Sequence, residues 1–200
     1  MGRFFSSFEE AWAAFLVREE PLEDFFGAFG EDEAPLTLWL VLPGEAAAAE
    51  AAAIQSALSP VGALRATPRH WLHVAIGAGD DGAPERLRRV PAFEAAYGPA
   101  NCFHDAIVLE AHAAGFRALA AAVDPDRDLS TFLPHVSVAY VGGAPPAAPV
   151  RELLEPLRDR PPVRERVDEV TLCEIPLRRS ELLTPWRVVA TVSLADTTSV

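Results

Sequence analysis

Two tripeptides, His73-Val74-Ala75 and His135-Val136-Ser137, lie inside runs that alternate apolar with small or polar residues: 71–77 (WLHVAIG) and 133–141 (LPHVSVAYV). Successive side chains of a strand point to opposite faces. His73 and Ala75 therefore share one face of the first run, with Leu72, Val74 and Ile76 on the other. His135 and Ser137 likewise oppose Val136, Val138 and Tyr140. Each run predicts a strand with one side on a core and the other offering an imidazole and a small neighbour. Two such strands commit the chain to sheet structure, because neither satisfies its backbone alone.

The surrounding pattern alternates elements. An apolar strand is expected over Leu36 to Leu42, an Ala-rich helix over about Glu45 to Leu58, and strand-like segments over Gly62 to Thr67 and Trp71 to Ala78. Gly79 to Gly82 reads as a turn, and Pro84 to Tyr97 as helical or irregular. The second half repeats the theme, with strand over Phe103 to His112, helix over Phe116 to Val123, strand over Phe132 to Val141, a loop to Pro149 and a helix near Val150 to Arg160. Two strands, Val167 to Cys173 and Trp186 to Leu194, close the chain. The expected fold is α+β, two lobes with mostly antiparallel sheets facing across a cleft, over residues 35–200.

Residues 1–34 stand apart as an N-terminal helical extension. Ser6 and Ser7 each precede a glutamate by three, Glu9 and Glu10, the arrangement that caps a helix start. A second helix is expected from Pro21 to a stop at Gly30, with Leu22, Phe25, Phe26 and Phe29 on one side. This aromatic hairpin is expected to pack on the back of a sheet or in a homodimer interface. Met1-Gly2 with Ser6 matches a myristoylation pattern that the bacterial-looking composition makes a false match.

Charge excludes one class of partner. A net charge of −12 argues against gripping long nucleic acid by phosphate neutralisation, and leaves a short RNA end or a small nucleotide open. The 17 basic residues are all Arg, which suits bidentate phosphate contacts and equally fits a GC-rich genome. Cys102 and Cys173 lack metal-ligand spacing and fit buried, reduced thiols of a cytoplasmic protein. No run reaches the roughly 18 apolar residues of a membrane span.

The paired motifs resemble those of the two-histidine phosphoesterases, the superfamily of 2′-5′ RNA ligase-like proteins, whose signature is a His-x-(Thr/Ser)-x motif in each of two similar lobes. The resemblance runs from about Leu36 to Leu194. It implies hydrolysis of a 2′,3′-cyclic phosphate or a related RNA-end phosphodiester, or joining of RNA ends by the reverse 2′-5′ reaction. It assigns His73 and His135 as general acid and base and Ser137 as a phosphate donor, with no metal or cofactor required. Ala75 departs from the pattern, since a methyl group donates no hydrogen bond. A hydrogen bond to a charged group is worth roughly 1.5–3 kcal/mol, so its loss weakens catalysis by about 10- to 100-fold.

Two other readings remain open: a site that binds a nucleotide or RNA end without cleaving it, and a partner-docking surface on the aromatic N-terminal segment. Other candidates are weaker. His70 reads as an entry-turn residue. His104, Glu110 and His112 share one parity of a strand, but eight residues of extended chain span roughly 26 Å, too far for one metal. Arg69, Arg178 and Arg179 could reach phosphate from loops, although solvation is their simpler role. Tyr140 belongs to the core if its strand is regular.

Overall fold

The computed structural model describes residues 5–196; the Met1-Gly2 pattern falls outside them. Strands β1 (Leu36–Val41), β2 (Leu64–Ala66), β3 (Val74–Gly77), β4 (Phe93–Cys102), β5 (Ala106–His112), β6 (His135–Val141), β7 (Val163–Val167), β8 (Glu169–Ile175) and β9 (Arg187–Ser193) alternate with helices. The helices are α1 (Phe8–Leu16), α2 (Glu45–Leu58), α3 (Ala83–Leu87), α4 (Ala114–Val123) and α5 (Ala147–Leu154). The expected α+β class with antiparallel pairing is what the chain adopts. The two expected sheets are joined edge to edge into one, in the order β7-β4-β5-β6-β3-β1-β8-β9, with β2 paired to β6.

The two-lobed reading survives in how that sheet is joined. Its halves, β7-β4-β5-β6 and β3-β1-β8-β9, meet where β3 pairs with β6, and that ladder holds a single residue pair, Val74 with Val136. Both valines are buried in the main core together with Ile76 and Val138, among residues of α2, α4 and α5. A smaller apolar cluster, including Leu40, Trp71, Val108, Tyr140 and Cys173, covers part of the opposite face. The histidine-bearing face is thus the one the main helices leave clear.

Several elements depart from the sequence pattern. Residues 93–102 form a ten-residue strand, although the part up to Tyr97 is expected to be helical or irregular. Their Ala-rich run with Gly98 and Pro99 has no clean alternation, and pairing to β5 and β7 decides the outcome. Strand β7, sequence VRERV, falls where no element is expected. The helix near Val150 to Arg160 starts earlier and ends at Leu154, with a 3-10 turn following.

The N-terminal segment needs the largest correction. Helix α1 starts as expected, with the Ser7 hydroxyl accepting from the Glu10 amide. Glu110 pins it: Asn101 donates both to Glu110 and to the Phe8 carbonyl, and Arg158 bridges from Glu110 to lie over the Trp12 ring. The second helix does not form, apart from a 3-10 turn at Phe26–Ala28. The amides of Leu22, Glu23 and Phe25 donate to the carbonyls of Pro145, His104 and Val141, so the backbone is satisfied by its neighbours rather than by itself. Phe26 joins the smaller cluster, and Phe25 stacks on Tyr140 at 4.0 Å. The aromatic segment packs on the histidine face, not on the back of the sheet.

Candidate active site

His73 stands one residue before β3, at the end of a 3-10 turn, Arg69–Trp71, that delivers the chain to the strand. His135 is the first residue of β6, after Pro134. The antiparallel pair Val74 with Val136 fixes the local register. Carried one residue either way, it sets His73 opposite Ser137 and Ala75 opposite His135. The four side chains make a rectangle on one face, with an approximate two-fold axis through the valine pair. The histidines occupy one diagonal, for which residues lie roughly 7–8 Å apart and their Cβ atoms somewhat closer.

The histidines are held alike. His73 Nδ1 lies 2.7 Å from the Trp71 carbonyl, and His135 Nδ1 lies 2.7 Å from the Leu133 carbonyl, each two residues back. A carbonyl only accepts, so each Nδ1 carries the proton and each neutral ring keeps its lone pair on Nε2. Burial lowers the pKa of His73 to about 4, against the upward pull of its carbonyl bond; the neighbouring His135 lowers it further. Burial lowers His135 as well. At neutral pH both rings are uncharged in the free protein.

Their walls differ. Trp186 meets His73 edge-on at 5.2 Å, and Trp71 meets it at 6.3 Å. Leu183, at φ 65, holds a left-handed backbone that costs a branched residue roughly 1–2 kcal/mol. The carbonyls of Leu183 and Thr184 are bonded by His70 and by the Trp71 indole, which secures the turn leading to Trp186. His135 meets Phe103 edge-on at 4.8 Å. It opens into a cavity of about 440 Å³ whose wall also includes Ala75, Phe103, Asp105, Arg127 and Leu133. His73 is not on that wall.

Ser137 is half-buried beside His135. Between the pairs Ile107 with Ala139 and Val108 with Ser137, β6 carries one extra residue, Val138. This bulge reverses the alternation, so Tyr140 faces the site side rather than the opposite one. Its hydroxyl is hydrogen-bonded with Ser137, and burial pushes its pKa up to about 12.

The remaining candidates are engaged elsewhere. His112 pairs with Glu110 at 3.0 Å, whereas His104 lies near Arg18 and Glu23. Arg69 pairs with Glu45, and Arg178 with Glu181. Arg179 donates to the carbonyls of Phe26 and Phe29, clamping the N-terminal segment. Arg127 is not among the residues that the sequence singles out, because one Arg in a loop rich in Asp carries no signal there.

The site thus consists of two histidines on the open face of an antiparallel sheet. Solved structures share this fold: TT0787 of Thermus thermophilus, at 19% identity and TM-score 0.55, covers 78% of this chain and 96% of its own. E. coli LigT in apo form, at 17% and 0.55, covers 82% and 99%. A protein described as a phosphoesterase, at 16% and 0.59, covers 82% and 99%. LigT has also been solved with 3′-AMP, ATP, NADP+ and phosphate. A search of curated proteins gives no match. The family model of the 2'-5' RNA ligase superfamily matches residues 80–176, a span that includes His135 and Ser137. Over that span, just under half of the chain, the sequence is similar to this superfamily.

Proposed function

We propose that the protein is a phosphodiesterase that opens a 2′,3′-cyclic phosphate on a small nucleotide or a short RNA end, with a ribose 5′-hydroxyl in place of water as the nucleophile when 2′-5′ ends are joined. The observation that carries the reading is the matched pair of Nδ1-tethered imidazoles on one diagonal, each with Nε2 free to exchange a proton. One ring takes a proton from water as it attacks phosphorus. The other, protonated once the anionic substrate is bound, gives a proton to the departing ribose oxygen. The approximate two-fold axis lets the roles exchange when a 2′-5′ diester closes back to the cyclic phosphate and releases its 5′-hydroxyl. Ser137 donates to a phosphoryl oxygen as charge develops. The phosphate-bearing ligands of the LigT structures fit this substrate class.

A second reading has a specific observation behind it. Ala75 removes one donor from the rectangle, as in a site that binds a nucleotide without cleaving it. Turnover of 2′,3′-cyclic mononucleotides in EDTA, comparing wild type with His135→Ala, separates the two. The expected result is metal-independent hydrolysis abolished in the folded variant. Retained hydrolysis in His135→Ala, or wild-type activity lost in EDTA, would remove the proposed mechanism, and tight binding without turnover would favour the second reading.

A further inference from the structure

The missing donor at position 75 has a neighbour. Arg127, in the loop between α4 and β6, lies on the wall of the cavity that holds Ala75 and His135. Its Nη1 donates at 2.5 Å to the carbonyl of Ile76, the residue after Ala75. Its guanidinium lies over the Phe132 ring, 4.9 Å from the centroid. Gly77, with φ 151, makes room: a Cβ there would stand 2.9 Å from Arg127 Nη1. One hydrogen bond, one ring contact and the space left at Gly77 therefore place this guanidinium on the cavity wall that also includes Ala75.

Its charge is uncommitted. The wall includes the acids Glu23 and Asp105 and the rings of His104 and His135, with Arg127 as its one guanidinium. Among the described residues no carboxylate forms an ion pair with Arg127, in a chain of net charge −12 that pairs many of its arginines. A guanidinium has five N–H donors in a planar fork, and the Ile76 carbonyl takes one. The rest remain for an anion entering between Ala75 and His135.

We propose that Arg127 is a phosphate-binding residue of this site, supplying from the α4–β6 loop the donor that Ala75 cannot. The proposal rests on the phosphodiester reading of the site. It makes Ala75 a corner whose donor comes from a neighbouring loop instead of from its own side chain. Arg127 would contact the equatorial oxygen on the His135 side, while Ser137 serves the His73 side. Two unlike donors would then occupy two equivalent corners.

Arg127→Gln keeps a donor for the Ile76 carbonyl and removes the charge, which separates phosphate binding from a strut for the strand. The expected result is a folded protein with kcat/KM for a 2′,3′-cyclic mononucleotide lower by about 10- to 100-fold, partly recovered in Arg127→Lys. Ala75→Thr added to Arg127→Gln recovers about 10-fold, and on the wild type the same change gives a smaller gain, because the two donors serve one oxygen. Unchanged kcat/KM in folded Arg127→Gln, or equal gains from Ala75→Thr in both backgrounds, would overturn the proposal. If the wild type turns over no cyclic phosphate, the phosphodiesterase reading fails and calorimetry with inorganic phosphate decides. Weaker binding by Arg127→Gln than by wild type then supports the assignment, and equal binding or none to either refutes it.

Discussion

The two halves of the site are built from the same motif and furnished differently. On the β3 side, His73 is walled by Trp71 and Trp186, and its motif ends in the methyl of Ala75. On the β6 side, His135 has one aromatic neighbour, a hydroxyl two residues on, and a cavity with Arg127 on its wall. The β6 half is also better anchored, since β6 pairs with β5 over five positions and with β2 over three. Two imidazoles tethered alike thus meet different walls, although burial lowers the pKa of both.

The largest test asks whether the halves are catalytically equal. His73→Ala and His135→Ala are each expected to lower kcat by at least about 10²-fold, with the double variant no worse than the more damaging single one, because acid and base act in one transition state. Steady-state kinetics on the three folded proteins decide. Multiplicative losses would mean that the rings act in separate steps.

Ser137→Ala sharpens the comparison by making the β6 motif resemble the β3 motif. Its expected cost is about 10- to 100-fold in kcat/KM. Removing the hydroxyl also takes away a partner of the Tyr140 oxygen, so a melting measurement is needed to show that the loss is kinetic.

The smallest effect is on stability. His73 has a folded pKa of about 4 against an ordinary value near 6.5, so the unfolded chain binds its proton more readily. Its stabilising contribution is complete above about pH 6.5 and is lost as pH falls toward 4, by on the order of 2–3 kcal/mol. Denaturant melts of His73→Asn should show less acid destabilisation than wild type across that window. Identical pH dependence would mean that burial does not hold the His73 ring neutral.

The strand pair and its four side chains are legible in sequence because period-two alternation reports a face directly, and a histidine on such a face is visible wherever the strand begins. Tyr140 is not, because a bulge at Val138 leaves no local mark and inverts every residue after it. Strand β4 is hidden for a related reason: Ala, Gly and Pro fit several backbones, and its two neighbours decide. The run Phe25, Phe26, Phe29 announces a buried face and misleads on the element, since its amides are claimed by carbonyls distant in sequence. Arg127 matters through what it lies beside, and position in space is what a single sequence states least.

The lone rung between Val74 and Val136 makes the spacing of the imidazoles a property of the buried side of the sheet. Nothing else in that ladder locks the halves together, so volume changes among the core residues behind the rung act as a lever on the distance between proton donor and proton acceptor. Evolution could tune the reactivity of this site from behind, without altering a single atom that faces substrate.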